Sequence, residues 1–175
     1  MAITPAHDSV NSSPTNTFAT LNPLNFRGSG ATLSDGNLKI SGGGNHTGSF
    51  ATIPIQKTGA WYVEVRTNDT TDNHAIHLQP NQHFYLSNQS VPESITIDTF
   101  FSTEISIREY GSTTSSSTVL GSVTETTTTS GDVLGYLFDF ENNTIIVNKN
   151  GVHKLTITNL TPLDDVYLIG YNVSS

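Results

Sequence analysis

The sequence predicts an all-β protein: an antiparallel, bent β-sandwich preceded by an extended N-terminal arm. Three observations lead there. Apolar and polar residues alternate over short segments, most clearly in Trp61-Tyr62-Val63-Glu64-Val65-Arg66. Turn-forming pairs such as Asp35-Gly36, Asn142-Asn143 and Asn150-Gly151 recur between those segments. Nowhere do apolar residues repeat at helical spacing for three turns.

Composition agrees with that class and removes others. The chain has 175 residues, one domain's worth, of which 20 are Ser and 26 Thr. Threonine favours strands because its β-branched side chain loses rotamers in a helix. There is no cysteine, which excludes disulfides, Cys-based zinc sites and thiol nucleophiles. The net charge of -8 opposes phosphate-contact binding to nucleic acid. No apolar run approaches a membrane span, and Met1-Ala2-Ile3-Thr4-Pro5 lacks the basic and apolar regions of a secretory signal.

Residues 1–30 read as the extended arm, with Phe18, Leu21, Leu24 and Phe26 spaced like pegs for a docking partner, and 31–175 as the sandwich. Asp35-Gly36 turns into a strand at Leu38-Lys39-Ile40. Ser41 to Asn45 is a glycine-rich turn. Phe50 to Ile55 is a short strand that Pro54 places at an edge or ends. In the next strand Trp61, Val63 and Val65 share one face, and Tyr62, Glu64 and Arg66 the other. A loop follows over 68–73.

The middle of the chain predicts strands at Ala75–Leu78, His83–Leu86, Ser94–Ile97 and Ile105–Ile107. Residues 111–130, almost all Ser, Thr and Gly, predict two strands of weak register or one strand and a loose loop. The last third is clearest: Val133–Phe140, Thr144–Asn148, Lys154–Ile157 and Val166–Val173 are strands separated by turns that tolerate positive φ.

Two of these segments resemble a known family. Gly59-Ala60-Trp61-Tyr62-Val63-Glu64-Val65 is similar to the G-x-W-Y-x-E-V strand of SPRY domains. Gly131-Asp132-Val133-Leu134-Gly135-Tyr136-Leu137-Phe138-Asp139 is similar to their G-D-x-I-G-x-x-x-D strand, and Asn142 to Val152 to the hairpin after it. The match covers roughly 45–173 and is poor from about 72 to 125. It implies a SPRY-like, concanavalin-like jelly roll and a non-enzymatic module that binds peptides or proteins through loops at one end. The motif residues Trp61, Gly131, Gly135 and Asp139 have structural roles: an apolar body between the sheets, a turn, close packing and a turn cap. The lead-in from Ser12 to Leu24 and Ala31 to Leu38 resembles SPRY-like virion structural or tail fibre proteins of tailed bacteriophages.

Little in the sequence points to catalysis. Asp72, His74, His77, His83 and Tyr85 are candidate ligand-binding residues in or near loops. His74 and His77 stand three apart in a strand, on opposite faces, which argues against a shared metal. No metal or cofactor is expected. Glu64, Asp98, Glu104, Glu109 and Asp139 supply carboxylates, but no motif pairs two of them as a glycosidase requires, and there is no G-x-S-x-G or phosphate loop.

The expectation is therefore a non-enzymatic virion surface protein, made in a bacterial cytoplasm and carried on the extracellular particle. The first expectation is a small accessory subunit docked by its arm to capsid or tail proteins, as a homo-oligomer such as a trimer. In the second role it recognises a host surface glycan or protein with its loops. An intracellular peptide-binding adaptor is the alternative from another class. Neither nucleic acid nor a membrane is an expected partner.

Overall fold

The computed structural model describes residues 19–27, 30–42, 47–67, 73–80, 94–100, 104–110, 117–124, 129–160 and 166–174. Among them the regular structure is all strand: β1 (Leu21–Arg27), β2 (Ala31–Ser34), β3 (Lys39–Gly42), β4 (Thr47–Ala51), β5 (Ile55–Gln56), β6 (Ala60–Arg66), β7 (Asn73–Pro80), β8 (Ile95–Phe100), β9 (Glu104–Tyr110), β10 (Ser117–Thr124), β11 (Val133–Asp139), β12 (Thr144–Lys149), β13 (Val152–Ile157) and β14 (Val166–Ser174). No helix here is long and apolar enough to cross a membrane.

The strands form two facing sheets and a small hairpin. The large, eight-stranded sheet runs β1-β4-β14-β7-β8-β9-β10, with β5 pairing β14 beside that path. The four-stranded sheet runs β13-β12-β11-β6, and β2-β3 stand apart. Every pairing is antiparallel. The all-β sandwich of the sequence reading is the observed architecture.

The core lies between the two sheets, and strand alternation builds it. In the small sheet Trp61, Val63 and Val65 of β6 stand opposite Phe138, Tyr136 and Leu134 of β11, all on the inner face. Ile145 and Val147 extend the row onto β12. The large sheet answers with Ile76 and Leu78, Ile95 and Ile97, and Ile105 and Ile107. Each such side chain contributes roughly 1.5–3 kcal/mol when fully buried.

Turn chemistry sets the registers. Asp139 accepts hydrogen bonds from the Asn142 backbone N–H at 3.1 Å and its side-chain amide at 2.7 Å, closing the β11–β12 turn. Asn150 and Gly151, at φ 51° and 74°, make the tight β12–β13 turn. Asp132 locks the start of β11. Its carboxylate accepts from the Thr129 N–H at 2.6 Å and the Asn150 amide at 2.7 Å, and lies 3.1 Å from Lys149 Nζ. Burial alone would raise its pKa, but those bonds and the ammonium hold it at about 2.

Two stretches add to the sequence reading: 111–130, where it admits two strands or one strand and a loose loop, and the N-terminal arm. Within 111–130 the described strand is β10, an edge strand whose pairing with β9 shifts between Val119 and Gly121. A bulge of this kind twists an edge away from further pairing. Within the expected arm, residues 1–30, Leu21–Arg27 is itself the opposite edge strand, paired to β4. Its register is irregular between Leu21 and Phe26, a span that contains Pro23, which hides the strand from alternation.

Candidate functional site

Pairing places a polar set on the outer face of the large sheet. On β7, Ala75, His77 and Gln79 point away from the core face of His74, Ile76 and Leu78. His77 stands opposite Thr96, and Ala75 opposite Asp98. Thr96 stands opposite Arg108, Asp98 opposite Ser106, and Phe100 opposite Glu104. Tyr110, two residues beyond Arg108, ends the row, beside Ser117 of β10. In the other direction the register passes from His77 through Gly170 to Phe50. Phe50 is buried yet lies outside the inter-sheet core.

This face changes character across the sheet. Phe50, His77, Gln79, Thr96 and Ser106 are buried. Asp98 and Arg108 remain 21% and 28% exposed, and Glu104 more so. The site is thus a buried polar floor that opens at β8 and β9.

Its charges are held in a loose triad. Arg108 Nε lies 3.4 Å from Asp98 Oδ2, and a terminal nitrogen lies 3.9 Å from Glu104 Oε1. Both contacts are longer than the roughly 2.7–2.9 Å of a good charge-assisted hydrogen bond. Burial pushes the Asp98 carboxyl up to about 6, against the downward pull of Arg108, with Glu104 adding to the rise. Tyr110 is raised by burial and then by Asp98. His77 is pushed down to about 4 by burial and is therefore neutral near pH 7. Its Nδ1 shares a 3.0 Å hydrogen bond with Thr96 Oγ1, while Nε2 has no partner among the described residues. Neither has the Ser106 hydroxyl.

Of the residues singled out from sequence, His77 enters this site and His74 faces the core, so the strand separates them. Asp72, His83 and Tyr85 lie outside the described residues, as does Phe18. Among the described residues no three His, Asp or Glu side chains are grouped to hold a metal. On β1, Leu21 and Phe26 are half-buried against the chain's own sheet, and Leu24 is 95% exposed. Trp61 packs against the core and donates its Nε1–H to the Thr58 carbonyl at 3.0 Å. Gly131 takes φ 97° in its turn. A Cβ on Gly135 would meet the Tyr62 hydroxyl and ring, which lie across it and donate to Glu64 Oε1 at 2.7 Å.

Sequence reasoning missed Thr96, Ser106, Arg108 and Tyr110, and named Asp98 and Glu104 only as carboxylates that no motif pairs. A signal was present: Ser94-Ile95-Thr96-Ile97-Asp98 and Glu104-Ile105-Ser106-Ile107-Arg108 alternate, which sets their polar residues on the face opposite the isoleucines. What alternation does not supply is the register that brings the two sets side by side.

The sandwich geometry has relatives among solved structures. The SPRY domain of human HERC1 superposes with a TM-score of 0.61, covering 89% of this chain and 90% of that one at 13% identity. The fold is SPRY-like. The PSpry domain of TRIM65 follows with a TM-score of 0.56 at 12% identity, covering 87% of this chain and 83% of that one. Another match is the carbohydrate-binding module CBM66 from Bacillus subtilis, with a TM-score of 0.53 at 5% identity over 86% of this chain and 92% of that one. No protein-family profile and no curated protein matches the sequence.

Proposed function

We propose that the protein is a non-enzymatic recognition module carried on the surface of a phage particle, where it binds a host surface glycan or protein. The observation that carries this reading is the half-open polar face of β8 and β9, where Asp98, Glu104 and Arg108 surround a buried polar floor. SPRY-like and carbohydrate-binding neighbours support a binding rather than a catalytic role. So does the chemistry: Asp98 and Glu104 both lean on Arg108 instead of flanking an open gap as an acid and base would. The particle location rests on the likeness of the N-terminal lead-in and on the charge-poor, Ser/Thr-rich composition.

The accessory-subunit role, the first expectation from the sequence, is the second reading. Its docking pegs Leu21 and Phe26 lie in a strand bonded to β4, which leaves Leu24 as the outward apolar residue of that segment. The test is adsorption. Purified protein is expected to coat host cells and to block particle adsorption. Particles that lack it but adsorb normally, and break under osmotic shock, would overturn recognition in favour of the accessory role. Absence of the protein from purified particles would refute the virion location.

A further inference from the structure

We infer that the outer face of β8 and β9 binds a neutral saccharide, with a diol seated on Asp98 and Arg108. The inference rests on the reading of the chain as a recognition module and names the ligand class for it. The central observation is a hydrogen-bonding deficit. A guanidinium has five N–H donors and a carboxylate about four acceptor sites. Arg108 and Asp98 are 28% and 21% exposed, and their 3.4 Å contact is too long for a good charge-assisted hydrogen bond, which leaves donor and acceptor capacity on the pair. Beside them Ser106 Oγ and His77 Nε2 are buried without partners. Buried polar groups are ordinarily satisfied, so two buried deficient groups beside a loosely paired, part-exposed carboxylate and guanidinium need a reason. Here the two buried groups border the part-exposed side chains of Asp98, Glu104 and Arg108.

The chemistry of the groups selects the ligand. An alcohol both donates and accepts. One hydroxyl of a vicinal pair donates to Asp98 while the other accepts from Arg108, and the adjacency of carboxylate and guanidinium matches adjacent ring hydroxyls. An ammonium group only donates, and Arg108 repels it. An anionic sugar meets two carboxylates, Asp98 and Glu104, against one guanidinium. A peptide strand adds to sheets by backbone pairing at an edge, whereas these groups stand on a face. Tyr110, half-buried at the end of the row, offers a ring for the apolar side of the sugar.

The test is a titration of the isotopically labelled protein with neutral sugars: glucose, galactose, mannose, fructose, N-acetylglucosamine and their disaccharides. At least one is expected to shift the Arg108 Nε–Hε resonance and the amides of residues 96–98 and 106–110 saturably. Asp98→Asn and Arg108→Lys, which keep size and charge class respectively, are expected to weaken it by about tenfold to a hundredfold without lowering the melting temperature. No saturable shift with any of these sugars overturns the inference. So do shifts confined to another surface, tighter binding of sialylated or uronic sugars, preference for a peptide, or release of cleaved sugar. Host-cell binding measured on the same variants separates the two readings. Undiminished cell binding by Asp98→Asn and Arg108→Lys refutes this site and leaves recognition standing. Absent cell binding by the wild type, with sugar shifts intact, refutes the host role alone.

Discussion

Replacing Asp98 by Asn is expected to stabilise the protein at neutral pH. The folded state holds this carboxyl near pKa 6 because burial disfavours its charge more than Arg108 favours it. A displacement of about two pH units is worth about 3 kcal/mol. The side chain is 21% exposed, so solvent screening reduces the expected effect to about 1–2 kcal/mol. The sign follows from proton counting. The folded chain binds the proton more tightly than the unfolded one, so the stability Asp98 confers is full below about pH 4. It is lost as pH rises through about 6. Asparagine carries no such dependence. The two proteins should therefore match near pH 4, and Asp98→Asn should lead by the full margin at pH 8. Urea unfolding at several pH values between those limits reads the difference directly. A difference that stays constant across the range, or an Asn variant that is the weaker protein at pH 8, would refute the account of Asp98 as a strained charge.

Other sites give equally definite expectations. Asp132→Ala removes the acceptor shared by the Thr129 N–H, the Asn150 amide and Lys149 and should cost about 1–3 kcal/mol, with Asp132→Asn milder because it keeps hydrogen-bonding capacity, both read by denaturant midpoints. Gly135→Ala places a methyl against the Tyr62 ring and should cost about 1 kcal/mol, and Tyr62→Ala should remove most of that penalty in a double-mutant cycle. Additive effects would show that the two do not compete for space. Gly121→Val drives a branched side chain into Ile157 and should cost about 1–3 kcal/mol, measured the same way.

The parts of the fold that were legible are those where each strand faces water on one side. In β6 the alternation of Trp61, Val63 and Val65 with Tyr62, Glu64 and Arg66 reports a single buried face directly. The Asp139 and Asn150 turns announced themselves because their chemistry is local. The large sheet was harder to read because both of its faces are partly buried. On β7, His74, Ile76 and Leu78 are covered on one side and His77 and Gln79 on the other, so polarity no longer marks exposure. The site is non-local for the same reason: Asp98 and Arg108 sit ten positions apart in a chain with no motif around either, and only the β8–β9 register makes them neighbours. β1 was obscured by Pro23 and an irregular pairing, so alternation did not mark it as a strand.

The outer face also carries two titrations of opposite sign, which makes the unmodified protein a poor witness to either. His77 is held neutral by burial, at about 4 against 6.5 when exposed. Its folded-state pKa is depressed, so the stability it confers is present above about pH 6.5 and lost as pH falls through about 4. Asp98 does the reverse between about 4 and 6. Over that interval the two contributions run against each other and are of similar size, so the wild-type stability profile should be nearly flat there. Single variants should expose the slopes. His77→Gln should gain stability as pH falls from 6.5 to 4, driven by Asp98, and Asp98→Asn should lose it, driven by His77. By the pH at which His77 takes up its proton, about 4, Asp98 with its pKa of about 6 is already neutral, so the two groups titrate one after the other without an ion pair between them. The double variant should then be about as flat as the wild type, and the two single-variant slopes should nearly cancel when summed. Parallel profiles for wild type and both single variants would mean that neither group is buried in the way their place on the sheet requires.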